Sequence, residues 1–133
     1  MMTVAEFDEF WVHSSENEKN ALIAETLFGY VWDPRRNDLC FWSTATARQN
    51  TLPNYISSRP FTELHFRDLE RRRGLKSSVE PRETYFKCWF EGEFALGLTL
   101  TEGLWRARLR YHFRHPEIPL PDLQVYNEQD PPL

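Results

Sequence analysis

Between Phe86 and Leu98, large apolar residues fall at every second position on both sides of a turn, and no other pattern constrains the fold as much. Phe86, Cys88 and Phe90 alternate with Tyr85, Lys87 and Trp89; Phe94, Leu96 and Leu98 follow the turn Glu91-Gly92-Glu93. Period-two alternation marks a half-buried strand, because successive side chains point to opposite faces. A three-residue loop pairs Phe90 with Phe94, Cys88 with Leu96 and Phe86 with Leu98, which gathers all six on one face. Such a hairpin is stable only when that face is covered. The remaining segments must supply the cover.

They read mostly as helices. Thr3 and Glu6 have capping-box spacing, followed by Val4, Phe7, Phe10 and Trp11 at helical intervals. Ser15 and Glu18 open a second helix with Ala21, Leu22, Ile23 and Leu27 as its apolar positions, stopped by Gly29. Two aromatic runs, Tyr-Val-Trp (30–32) and Leu-Cys-Phe-Trp (39–42), flank a polar stretch and predict a second hairpin. Segment 47–58 reads as irregular, with Pro53 and Tyr55 held against the next helix and Ser57 or Ser58 capping its amides. Pro60 suits the first turn of that third helix, which ends at Gly74 with Arg71, Arg72 and Arg73 in its last turn.

Residues 100–114 fit two templates. Trp105, Ala107, Leu109, Tyr111 and Phe113 alternate with Arg106, Arg108, Arg110, His112 and Arg114, as in a strand. Thr99 and Glu102 instead form a third capping box, after which Leu100, Leu104, Ala107 and Tyr111 share one helical face. Periodicity by itself leaves strand slightly ahead.

Composition removes several classes. The chain has 133 residues, 41% hydrophobic and 15% aromatic, which is enough for one core and too apolar for whole-chain disorder. No apolar run approaches the roughly 18 residues needed to span a bilayer, and no basic start of a signal peptide is present. Two cysteines, Cys40 and Cys88, make neither a disulfide framework nor a zinc site. The expectation is a soluble cytoplasmic protein with one domain over 1–115 and an extended, acidic, Pro-rich tail over 116–133. That tail holds five of the nine prolines, yet Ile118, Leu120, Leu123, Val125 and Tyr126 predict packing along the domain or a neighbouring subunit. Net charge is −6 over residues 1–33, +6 over 34–115 and −4 over 116–133, so a basic middle lies between acidic ends. The acidic ends oppose general DNA binding.

Three stretches resemble the phage ABA sandwich domain family of small tailed-phage and prophage proteins. They are Ala21-Leu-Ile-Ala-Glu-Thr-Leu-Phe-Gly-Tyr-Val-Trp32, Leu52-Pro-Asn-Tyr-Ile-Ser-Ser58, and Gly97-Leu-Thr-Leu-Thr-Glu-Gly-Leu-Trp-Arg-Ala-Arg-Leu109. Asn54 stands where the family tends to have Asp, and Gly103, Trp105 and Arg108 stand where its last helix has small residues. The resemblance implies an α+β fold, a small antiparallel sheet packed between helices as an α/β/α sandwich, with 100–114 helical. It also implies a phage-encoded accessory protein in the host cytoplasm. It implies no particular chemistry.

The residues themselves favour binding over catalysis. There is no Gly-rich phosphate loop, nucleophile elbow or His-Glu-x-x-His. His112 and His115 lack a Cys or carboxylate at ligand spacing, Cys88 falls on the apolar strand face as an inert thiol, and His13 and His65 read as solvent-facing. No metal, cofactor or enzymatic activity is expected. In a helical 100–114, Trp105, Leu109 and Phe113 form a second apolar stripe, which predicts an interface and a homo-oligomer. Thirteen of sixteen cations are arginine, the side chain suited to bidentate phosphate pairing. Arg106, Arg110 and Arg114, with Trp105, Trp89 and Tyr55 as stacking faces, are therefore the predicted site for a small anionic nucleotide. In the family's context this reads as counter-defence capture of a nucleotide signal. The alternative is a protein-binding factor that blocks a host or phage protein through the same surface, and it predicts a broad exposed patch without a pocket. A competing account of the arginines pairs them with the acids of residues 1–33.

Overall fold

The computed structural model describes residues 2–35, 42–44 and 48–116; the Cys40 thiol and the tail beyond Pro116 lie outside the described residues. The chain is α+β, with four helices and two small antiparallel sheets among the described residues. Helix α1 (Val4–His13) starts at Thr3 and α2 (Glu16–Leu27) at Ser15. Both capping boxes form as spaced: Glu6 N–H donates to Thr3 Oγ1 at 3.1 Å while Thr3 N–H donates to the Glu6 carboxylate at 3.0 Å. The Ser15–Glu18 pair repeats the geometry. Each cap satisfies amides that a helix start leaves without partners.

Strands β1 (Val31–Trp32), β2 (Trp42–Ser43) and β3 (Arg48–Gln49) form the first sheet, with Trp32 opposite Trp42. This is the hairpin expected from the two aromatic runs. Helix α3 (Arg59–Arg73) carries Pro60 in its first turn and ends on Gly74 in the left-handed conformation, φ 69°. Neither Ser57 nor Ser58 caps it: Ser58 makes no side-chain cap bond, and Ser57 Oγ donates to Glu16 at 2.7 Å. Thr62 instead ties the entry, its hydroxyl donating to the carbonyls of Tyr55 and Ser58.

The second sheet has the order β4 (Ser77–Pro81), β5 (Phe86–Phe90), β6 (Glu93–Gly97). β4 is a polar edge strand whose Ser-Ser-Val-Glu-Pro sequence has no apolar alternation to signal it; Pro81 sits at its end, where a missing N–H costs little. The β5–β6 hairpin exists, but its register corrects the expected one. Phe90 pairs with Glu93, Cys88 with Ala95 and Phe86 with Gly97 across a two-residue turn. Glu91 (φ 48°) and Gly92 (φ 84°) both adopt positive φ, as a type I′ hairpin turn requires. Glu91 is held there by a carboxylate bond from Lys76 N–H at 2.7 Å and by its own N–H to Lys76 O at 2.9 Å. One residue of register flips every side chain. Ala95 and Gly97 join Cys88 and Phe90 inside, and Phe94, Leu96 and Leu98 face out.

Helix α4 (Leu100–Arg114) decides that register. It is a helix, as the cap at Thr99 and the family resemblance both imply, and it lies against β5 and β6. A Cβ on Gly97 would meet Gly103 N at 2.5 Å, and a Cβ on Gly103 would meet Cys88 Sγ at 2.5 Å. The backbones of β6 and α4 approach too closely for the larger residues of β6 to lie between them. On its other side α4 meets α1, α2 and α3. The middle helix is thus buried on two sides. Only half of its expected capping box forms: Glu102 N–H donates to Thr99 Oγ1 at 3.2 Å, while the Glu102 carboxylate pairs with Lys19 of α2 at 3.5 Å.

Candidate functional site

Arg106, Arg110 and Arg114 lie one turn apart along α4 and converge on protein carboxylates. Arg106 Nη2 is 3.4 Å from Asp8 Oδ1, and Arg110 Nη1 donates to Asp8 Oδ2. Glu93 receives Arg110 Nε at 3.6 Å and Arg114 Nε at 3.0 Å on each oxygen. That bond holds the Arg114 guanidinium above its ordinary pKa. Arg106 Nη1 also donates to Leu96 O at 3.2 Å, which occupies an outward carbonyl on the edge strand β6. Three guanidinium groups, two carboxylates and a strand edge form one network that fastens α1 and β6 to α4. The acid from residues 1–33 is Asp8; sequence spacing held no sign of Glu93, because the β5–β6 register brings it there.

The stacking residues separate. Trp105 is fully buried, with Nε1–H donating to Tyr55 O at 3.0 Å and Thr62 Oγ1 at 2.8 Å. Tyr55 is buried too, stacked on Phe28 at 5.3 Å and 7°. Burial pushes its phenol well above the ordinary value. Neither ring can reach a ligand at the arginine row. The predicted interface stripe is corrected for the same reason: Trp105 and Leu109 are core residues, and half-buried Phe113 packs on Phe7 at 5.3 Å. The helices of the N-terminal half cover the second face of α4, as two apolar stripes on one helix allow when it occupies the middle layer. His65 is likewise corrected from solvent to core, stacked on Trp105 at 4.9 Å. His13 is exposed beside Glu9.

Trp89 alone of the predicted aromatics remains at the surface. It lies on the outward face of β5, 5.3 Å from Phe94 across the strand pair. Lys87 Nζ sits over both rings, 4.8 Å from Trp89 and 4.6 Å from Phe94. Leu96 continues the face, and Tyr85 and Leu98 flank it, with fractional exposures of 43% at Phe94, 42% at Leu96, 38% at Tyr85 and 78% at Leu98. Tyr85, Leu96, Leu98 and Arg106 border a shallow cleft of about 360 Å³ at the strand ends. Arg110 reaches the other side, its guanidinium carbon 6.0 Å from the Phe94 ring. A broad apolar face with basic residues along its edge is what sequence reasoning missed, since the expected register had put these residues inside.

The Cys88 thiol is buried beneath α4 and pushed up to about 11 by desolvation, which opposes the thiolate a nucleophile needs. Among the described residues no group of three or more His, Cys, Asp or Glu is placed to hold a metal ion. No helix among them is long and apolar enough to cross a membrane. Comparison with protein-family models, curated proteins and solved structures finds no match to the chain.

Proposed function

We propose that this protein acts by binding, docking an acidic and apolar segment of a protein partner on the outward face of β4–β6. The observation that carries the reading is the Trp89–Phe94 pair with Lys87 above it, continued by Leu96, on a face that bears no helix among the described residues. Adjacent exposed apolar residues on this scale are costly in water and are typical of contact surfaces, where Trp, Tyr and Arg are enriched among the residues that carry most of the affinity. The partner's sign follows from charge. Towards β6, Lys87, Arg106, Arg110 and Arg114 outnumber Asp8 and Glu93, which steers a partner's acidic end to that side. Glu80 opposite Lys87, and Glu70 and Glu91 beside Trp89, carry negative charge on the β4 side. The resemblance to small phage proteins makes that partner a host or phage protein met in the host cytoplasm. Capture of a nucleotide signal by the arginine row has less support: the guanidinium groups already hold Asp8 and Glu93, and two of the three stacking rings lie in the core.

Selection of a displayed peptide library on the immobilised chain tests the proposal, with Trp89→Ser/Phe94→Ser as the comparison once circular dichroism shows its fold intact. Enriched peptides carrying acids beside large apolar residues, bound about tenfold or more weaker by the variant (about 1.4 kcal/mol), are expected. No enrichment, or equal binding by the variant, overturns it. Calorimetry with cyclic nucleotides and ADP-ribose derivatives runs beside it; a titration abolished by Arg106→Ala/Arg110→Ala would transfer the function to nucleotide capture.

A further inference from the structure

A second surface, remote in sequence from the sheet face, has a different chemistry. Helix α2 and the β1–β2 pair enclose a cleft of about 290 Å³. Trp32 and Trp42 form one wall, their centroids 5.0 Å apart and their planes inclined by 43°. Trp32 is 46% exposed and Trp42 half-buried, so part of the indole surface is open to the cleft. Asn17 comes from the first turn of α2, and Asn50 and Thr51 from the turn after β3; all three are exposed and line the same space. Asn20 lies at its base as structure, with Nδ2 donating to Asn54 and Oδ1 accepting from Ile56 N–H. None of the described residues that line the cleft carries a charge.

Each property narrows the ligand. The described lining offers no charge to anchor a phosphate or carboxylate, since a buried ion needs a partner, and so favours a neutral ligand. Carboxamides offer both a donor and an acceptor, and a threonine hydroxyl does the same, which suits a ligand bearing several hydroxyls. The indoles require an apolar face on that ligand. Two rings inclined by 43° cannot both lie flat on one planar base, whereas a puckered ring with C–H groups on one face can touch both. The volume lies at the lower end of small-molecule sites, roughly 300–1,000 Å³, and so admits one ring rather than a chain of them.

We infer that this cleft binds a single neutral pyranose, with Trp32 and Trp42 against its C–H face and Asn17, Asn50 and Thr51 on its hydroxyls. The site is independent of the protein-docking face: it shares no residue with it and stands or falls separately. Binding without an ion pair and with a solvent-open ring is weak, with Kd on the order of millimolar.

Titration of the nitrogen-15-labelled protein with methyl glucoside, methyl galactoside, methyl mannoside and N-acetylglucosamine tests it, read at the indole N–H signals assigned through Trp32→Phe and Trp42→Phe. Saturable shifts of the Trp32 and Trp42 signals with at least one glycoside, and none at Trp89, are expected. The Asn17→Ala/Asn50→Ala variant should keep the parent spectrum elsewhere and bind at least tenfold more weakly. Silence of both indoles at millimolar concentrations of every glycoside overturns the proposal. So do undiminished affinity in the asparagine variant, or a response to adenosine that no glycoside reproduces.

Discussion

Replacing Gly97 with alanine places a Cβ 2.5 Å from Gly103 N and 2.8 Å from both Gly103 Cα and Thr99 O. Ordinary contact begins near 3.4 Å, so α4 and β6 would have to separate by about 0.9 Å. Every atom met is backbone, and no side-chain rotation relieves the clash. Overpacking in a core costs about 1–3 kcal/mol where side chains can adjust, and a backbone clash belongs at or above the top of that range. Gly103→Ala differs. Its Cβ meets Cys88 Sγ at 2.5 Å, a side-chain atom, and alanine returns about 1 kcal/mol of helix propensity. The net loss should be about 1–2 kcal/mol. Cys88→Ala costs a further small cavity when made alone, but in the Gly103→Ala background it removes the clashing sulfur. The double variant should therefore be more stable than the sum of its parts by about 1–2 kcal/mol. Urea unfolding followed by far-ultraviolet circular dichroism measures all five proteins, and about 3–5 °C of Tm accompanies each kcal/mol at this size. The close approach of β6 and α4 is refuted if Gly97→Ala unfolds with the parent, or if Gly103→Ala and Cys88→Ala are additive.

Asp8→Asn should cost about 1–2 kcal/mol, because it strips the carboxylate from Arg106 and Arg110 at a partly buried site; unchanged urea stability would mean that the arginines are held without it. The raised Cys88 pKa gives a pH signature. Its stabilisation is complete below about 9 and is lost as pH rises towards about 11, so parent stability relative to Cys88→Ala should fall by about 1.4 kcal/mol per unit in that window. A constant difference in paired urea titrations contradicts it. In a Cys40→Ser background, native Cys88 should react with a thiol reagent only at the rate of opening, so fast labelling without denaturant rejects its burial. Thr3→Ala should lower stability by about 1 kcal/mol through loss of the α1 cap, checked by thermal melts.

Much of the fold follows from interactions within a few residues. Thr3 with Glu6, Ser15 with Glu18, Pro60 and Gly74 set the ends of three helices, because a cap is a bond between neighbours and needs nothing from the rest of the chain. The turn at Glu91-Gly92 is legible for the same reason. Its length is not. The alternation contains two interleaved sets on β6, Phe94-Leu96-Leu98 and Glu93-Ala95-Gly97, and hydrophobicity alone selects the first. Packing selects the second, because α4 comes so near that only alanine and glycine fit beneath it.

The candidate sites divide along the same line. Arginine content and spacing on α4 are properties of the sequence, and so is the aromatic-rich hairpin that supplies Trp32 and Trp42. Whether an arginine meets a ligand or a carboxylate depends on what other segments bring to it. Asp8 arrives from 98 residues away along the chain and Glu93 by way of the register shift. Trp105 and Leu109 looked like a surface stripe because a helix with two apolar faces has either one neighbour and an interface, or two neighbours. Only the assembled layers decide between them, since burial is a property of the space between elements and not of any one element.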